Sequence, residues 1–379
     1  MENAEADQTP HHPTSPPPER TTRRPAPADQ DAATEGAAPT DPAAPEASTE
    51  GKNVAAGRDR AAAEDGAADQ DGAASGGGAA DGLPAPAGDT ATTEAATEVT
   101  AEITAEVTAG LAPVPGGGEL FYEVAGDGPA VVLLHGGMLD NHMWDEQFAW
   151  LSRSGHRVVR YDARGHGLSS DIKGDYAHHE DLRALLAHLG ISRAVLVGLS
   201  HGARVALDTA LTHPEVVAGL ALASPGISGR AFTDPFLREN IRQQVAHAEG
   251  PHAAEWYVEH FLRMWVDGPH RQPGAVDPAL RERLRDTAEA NAVAHPEGFS
   301  AGVAREADAW SHLTELDVPT LVLDGDLDVS DISANAHAIT LAIPGAHRVR
   351  VPAAAHMVNL ENPQAFDEAL RTFLARLTG

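Results

Sequence analysis

The stretch Val195-Leu196-Val197-Gly198-Leu199-Ser200-His201-Gly202-Ala203 decides how this chain is read. Ala194 to Val197 is short, aliphatic and β-branched, as a buried strand requires. The strand pattern ends at Gly198, the chain turns through Ser200, and a helical pattern opens at Gly202 and runs from Ala203 to Leu211. Glycines two before and two after Ser200 remove the Cβ atoms that would collide across so sharp a turn. A turn of this kind lifts the serine hydroxyl above the C-terminal edge of a sheet, over the N–H groups and positive dipole end of the next helix. A glycine-rich turn with an incidental serine has the same local pattern. The rest of the chain must therefore supply a base, an acid and an oxyanion site.

Working outward, strands are expected at Glu119 to Ala125, Ala130 to His135, Arg157 to Asp162, Val217 to Ala223, Pro319 to Asp324 and His347 to Val351. Helices are expected at Asn141 to Ser154, Glu180 to Leu189 and Pro363 to Leu377, the last with Phe366, Leu370, Phe373 and Leu377 at helical spacing. Strands alternating with helices predict an α/β fold, a mostly parallel sheet covered on both faces. The alternation is broken from about Gly226 to Thr314, where the pattern is helical at Asp234 to His247, Ala253 to Val266 and Pro278 to Ala292. This insertion follows a strand C-terminus and carries Trp256, Tyr257, Phe261, Met264 and Trp265. It is expected to form a helical lid, with part of its aromatic stripe toward a substrate and the rest in the core.

Downstream of Ser200, Leu321-Val322-Leu323-Asp324-Gly325-Asp326-Leu327-Asp328 ends a strand among carboxylates, and His356 lies in a small-residue loop after the last strand. The chain order Ser, Asp, His, each after a different strand, is that of nucleophile-elbow hydrolases. Upstream, His135-Gly136-Gly137-Met138 closes a strand with a loop that can present the Gly137 N–H, and the His201 N–H directly follows Ser200.

At this point the chain resembles the α/β-hydrolase fold superfamily over roughly Leu111 to Leu377. The marks are His135-Gly136-Gly137, Tyr161-Asp162-Ala163-Arg164-Gly165-His166-Gly167-Leu168-Ser169, Gly198-Leu199-Ser200-His201-Gly202, Gly325-Asp326-Leu327-Asp328, and His356 with Leu360-Glu361-Asn362-Pro363. Five marks in the right order are far more specific than any one alone. Among members it is most similar to small-molecule hydrolases of the 3-oxoadipate enol-lactonase, esterase and cofactor-free haloperoxidase type. The resemblance implies Ser200 as nucleophile, Asp328 as acid, His356 as base, and Gly137 and His201 as oxyanion donors, with no cofactor and no metal. Ala203 stands where many members have a second glycine, and His201 where an apolar residue is frequent.

Asp326 is the competing acid, set aside because a residue so near the strand end should sit too deep. Candidate substrate contacts are Met138, Trp144, Trp256, Phe261 and Trp265. His135 and His166 read as structural residues of glycine turns, and Arg164 as an anchor of its own turn. The activity expected is hydrolysis of a carboxylic ester or lactone. Carbon–carbon hydrolysis of a diketone and a non-catalytic ligand-binding role on the same fold are the alternatives.

Composition sets outer bounds. The chain has 379 residues and no cysteine, which excludes disulfides and thiolate chemistry. A net charge of −29 argues against nucleic acid as a partner. No apolar run approaches the roughly 20 residues of a membrane span, and Met1 to Asp7 lack a secretory signal's apolar core, so the cytoplasm is the expected location. Residues 1–97 form an acidic Ala/Pro/Gly-rich tail whose only large aliphatics after Met1 are Val54 and Leu83, a composition expected to be disordered. Through Gly110 there are 21 acidic and 6 basic residues, so under a third of the length holds about half the net charge. Residues 98–110 carry a small repeat, Glu-Val-Thr-Ala and its variants, whose spacing fits strand or helix equally. Residues 111–379 are expected to form the folded domain.

Overall fold

A computed structural model describes residues 106–247, 252–272, 274–296 and 302–378. The disorder expected of residues 1–97, and most of the repeat after them, lie outside these residues. The strands are β1 (Thr108–Pro113), β2 (Glu119–Ala125), β3 (Ala130–Leu134), β4 (Arg157–Tyr161), β5 (Ala194–Leu199), β6 (Val217–Ala223), β7 (Thr320–Gly325) and β8 (His347–Val351). They form one sheet in the order β1-β2-β4-β3-β5-β6-β7-β8. β2 pairs antiparallel with both β1 and β4, and every other pair is parallel.

Helices α1 (Asp145–Arg153), α2 (His178–His188) and α3 (His201–Thr212) connect the first six strands. Between β6 and β7 lie α4 (Pro235–Ala246), α5 (Ala253–Phe261), a π-helical turn at Leu262–Asp267, α6 (Pro278–Ala294) and α7 (Ala309–His312). Helix α8 (Ser330–Ala342) joins β7 to β8, and α9 (Val358–Glu361) and α10 (Pro363–Thr378) follow.

Strand side chains alternate between two cores, as a period of two dictates. Val131, Leu133, Val195 and Val197 join Phe148 and Leu151 of α1 and Phe366 and Leu370 of α10 on one face. Val132, Leu134 and Leu196 join Leu182 and Leu185 of α2, Val205 of α3 and Ile339 of α8 on the other. β3 and β5 are therefore apolar at nearly every position, the signature of strands buried on both sides.

Two expectations are corrected. The described fold begins before Leu111, because Thr108 to Pro113 pair with Val124 to Glu119 and Val107 packs against the first core. The odd-numbered apolar positions at the end of the repeat thus continue as strand. Helix α8 was not expected at all. It buries Ile332, Ala336 and Ile339 among small and polar residues, which leaves almost no contrast between its faces.

Removing residues 106–114 strips the edge of β2 and takes Ala112 and Val114, both buried, out of the second core. A chain starting at Pro115 is expected to melt roughly 5–10 °C below one starting at Glu106. Coincident melting curves would show that β1 contributes nothing to the fold.

Candidate active site

Ser200 sits between β5 and α3 with φ 54° and ψ −104°, a backbone conformation that a non-glycine residue rarely adopts. The flanking glycines are required by contact rather than by their own dihedral angles. A Cβ on Gly198 would fall on the Gly202 carbonyl group, and one on Gly202 would fall on the Leu134 carbonyl at the end of β3. Ser200 N–H donates to Ala223 O of β6 (2.9 Å), and the Ser200 carbonyl accepts from Arg204 N (3.1 Å) and Gly226 N (3.2 Å). The turn is thereby held by three strands and its own helix.

Asp328 and His356 arrive from the ends of β7 and β8. His356 Nδ1 donates to Asp328 Oδ2 at 2.9 Å, and both side chains are almost fully buried. The other carboxylate oxygen, Oδ1, accepts from Val329 N (2.7 Å). This bonding fixes the proton on Nδ1 and leaves Nε2 as the free ring nitrogen. Asp326 is exposed, and its N–H donates to Val351 O. It lies outside the pair because it faces solvent, not because it sits too deep.

Glu361 braces the histidine loop by accepting from Ala355 N (3.1 Å) and Met357 N (3.0 Å), and it pairs with Arg271 of the insertion (2.6 Å). Trp265, on the π-helical turn, lies against the imidazole with ring centroids 4.4 Å apart.

Ser200 and His356 line one cleft of about 200 Å³, with Gly136, Gly137, Met138 and His201 along one side. As first residue of α3, His201 has an N–H with no intrahelical acceptor. The other wall comes from the insertion: Tyr257, Phe261, Met264 and Trp265, with Phe232 from the preceding loop. Asn291 of α6 moors that wall, donating to Met138 O (3.1 Å) and accepting from Gly167 N (2.6 Å).

The structural residues behave as their turns require. His135 Nε2 accepts from Ala163 N (2.9 Å), so its Nδ1 carries the proton donated to Gly136 O (2.7 Å). Arg164 makes a two-point contact with Asp181 and also donates to Gly117 O and Pro115 O. Among the described residues, no three His, Asp or Glu side chains gather as a metal site, and no helix is long and apolar enough to cross a membrane.

The sequence profile of the alpha/beta hydrolase fold matches residues 129–363. The chain belongs to the α/β-hydrolase fold family. The hydrolase is 29% identical over 271 residues to a non-heme haloperoxidase of Rhodococcus erythropolis, covering 68% of this chain and 96% of that protein. It is 27% identical to 3-oxoadipate enol-lactonase 2 of Acinetobacter baylyi, covering 66% and 90% of the two chains. A solved esterase from Rhodococcus sp. ECU1013 superimposes with a TM-score of 0.60 at 28% identity, over 71% of this chain and 99% of its own.

Of the expected substrate contacts, Met138, Phe261 and Trp265 line the cleft of the hydrolase and two others do not. Trp144 is completely buried in the first core, its ring 5.9 Å from that of Phe366, because its 3-10 turn points inward beneath α1. Trp256 is 42% exposed and stacks on His247 instead. Helical phase separates these aromatics. Tyr257, Phe261 and Trp265 are spaced by four and share the cleft face, whereas Trp256 is in phase with His260. That spacing was available in the sequence and would have identified Tyr257. Phe232 and Gln244 carry no such signal, since the fold alone brings them to the cleft.

Gly202→Ala is expected to destabilise the hydrolase by about 2 kcal/mol or more, because the Leu134 carbonyl is backbone and cannot rotate away. An unchanged melting temperature would show that β3 and α3 can separate freely.

Proposed function

We propose that this hydrolase cleaves a carboxylic ester or lactone of a small molecule through an acyl-enzyme. Ser200 is the nucleophile, His356 the base, Asp328 the acid that orients it, and the N–H groups of Gly137 and His201 receive the oxyanion. The observation that carries this reading is the buried His356–Asp328 pair opening on the same cleft as a serine held in a strained turn.

His356 Nε2 takes the Ser200 proton as Oγ attacks the carbonyl carbon, and the Asp328 carboxylate stabilises the imidazolium that forms. Negative charge on the tetrahedral oxygen meets two backbone donors, one at the N-terminus of α3, where the helix dipole adds to the attraction. Loss of one such donor typically costs about 3 kcal/mol of transition-state stabilisation. The imidazolium then protonates the leaving oxygen, and water attacks the acyl-enzyme by the same route in reverse. The helical insertion serves as the lid, and its Tyr257, Phe261, Met264 and Trp265 exclude water from one side of the cleft. A cleft of about 200 Å³ suits a small acyl or lactone group.

Ser200→Ala and His356→Ala are each expected to lower kcat on p-nitrophenyl butyrate by on the order of 10⁴-fold or more, with melting temperature retained. Retention of more than a few per cent of the rate without Ser200 would overturn the nucleophile assignment.

Asp328→Asn is expected to cost on the order of 10³–10⁴-fold, while Asp326→Asn stays near the wild-type rate because its carboxylate faces solvent. The reverse ranking, in variants of equal melting temperature, would move the acid to Asp326.

A further inference from the structure

The loop that carries His356 is led by Ala353, Ala354 and Ala355, which offer few atoms for packing. One carboxylate holds it. Glu361 Oε1 accepts from Met357 N (3.0 Å) and Oε2 from Ala355 N (3.1 Å), so the residues on both sides of His356 hang on the same side chain. That side chain is only 4% exposed, and a carboxylate so buried needs a cation. Arg271 of the insertion supplies it, with Nη1 donating to Glu361 Oε2 at 2.6 Å.

The same guanidinium has two further bonds. Nη2 donates to Val266 O (2.7 Å) and Nε to Asp267 O (2.9 Å), the last two residues of the π-helical turn. Carbonyls at a helix end lack intrahelical partners, so Arg271 also caps that turn. Trp265, whose ring lies against the imidazole of His356, immediately precedes Val266. One planar group with fixed donor directions thus holds both the turn that carries Trp265 and the carboxylate that holds the histidine loop. The turn ends hard against both site loops. A Cβ on Gly268 would lie 3.2 Å from Ala355 Cβ and 3.3 Å from Leu327 O, the neighbours of His356 and Asp328 in the chain. Arg271 and Glu361 themselves lie outside the catalytic cleft and line an outer groove with Arg283.

The bond to Asp328 fixes which nitrogen of His356 carries the proton, but the ring still moves with its loop. A displacement of about 1 Å at a reacting group can cost about 10²-fold in rate. We infer that Arg271 is a positioning residue of the reaction: acting from the insertion and through Glu361, it holds the loop of His356 where proton transfer with Ser200 requires it. The inference rests on the ester-cleaving reading above.

Turnover of p-nitrophenyl butyrate by the full-length protein tests this, at a temperature where circular dichroism shows each variant folded. His356 serves both acylation and deacylation, so a displaced base lowers kcat whichever half is slow. Arg271→Met and Glu361→Gln are each expected to lower kcat by about 10- to 100-fold, with KM within about threefold of wild type. The double variant is expected to be about as slow as the slower single one, because both changes cut one link. Arg271→Lys keeps a cation for Glu361 and is expected to turn over at least about threefold faster than Arg271→Met. Arg283→Met, on the same groove, is expected to keep the wild-type kcat. A folded Arg271→Met protein with wild-type kcat overturns the inference. So does a loss carried by KM alone, a pair of losses that multiply in the double variant, a Lys variant no faster than the Met variant, or an equal loss in Arg283→Met. If Arg271→Met does not fold because Glu361 is left buried and unpaired, the double variant carries the test, and wild-type kcat in it overturns the inference. These outcomes leave the ester-cleaving reading standing, whereas wild-type protein with no Ser200-dependent turnover overturns that reading and the inference with it.

Discussion

The structure depends on one close approach: the backbone of Gly202 against the carbonyl of Leu134, with Gly198 closed over Gly202 from the other side of the turn. A positive φ at a non-glycine residue costs of order 1–3 kcal/mol and persists only where its surroundings over-determine it. Here β3 fills the space beneath the turn, β6 accepts the Ser200 N–H, and α3 returns a hydrogen bond to the Ser200 carbonyl. The two apolar cores on either face of the sheet keep β3, β5 and β6 at fixed spacing. Packing far from the cleft is thus what holds a strained serine in place.

The same device recurs where the other two site loops meet. A Cβ on Gly325 would fall on the carbonyls of Ala354 and Ala355, so β7 can approach the histidine loop only because that position is glycine. Glu361 then ties the histidine loop to its own helix and, through Arg271, to the insertion. A second joint forms where Asp331 of α8 accepts from Thr233 N and Asp234 N, while Asp234 accepts from Ser330 N. The insertion is therefore fastened near its start to α8 and, through Arg271, to the histidine loop. Asn291 fastens it to the loops that carry Met138 and Gly167.

Much of this was legible in the sequence, for identifiable reasons. Strands buried on both faces are continuous aliphatic runs, so β5, β6 and β7 stand out from their neighbours. The order of Ser200, Asp328 and His356 follows from strand ends, which such runs locate. Helix α8 escaped because burial against the sheet allowed alanine where an exposed helix would show a clear polar face. Asp328 was preferred to Asp326 for the wrong physical reason: after the strand ends, the turn swings Asp326 outward and Asp328 inward, and depth along the strand does not predict that. The aromatic residues were harder. Trp144 and Trp256 look like Phe261 and Trp265 in composition, and only helical phase and tertiary packing separate a core residue, a surface stack and a cleft wall. Arg271 carried no linear signal, since its partner Glu361 lies 90 residues further along the chain.

His201 presents its N–H and its ring to different neighbourhoods. The amide opens α3 beside Ser200, while the ring packs against His166 and His178. Any residue except proline keeps that amide, so the side chain can change without altering the backbone donor. A change at this position therefore acts on the ring cluster with His166 and His178 and leaves the first N–H of α3 where it is.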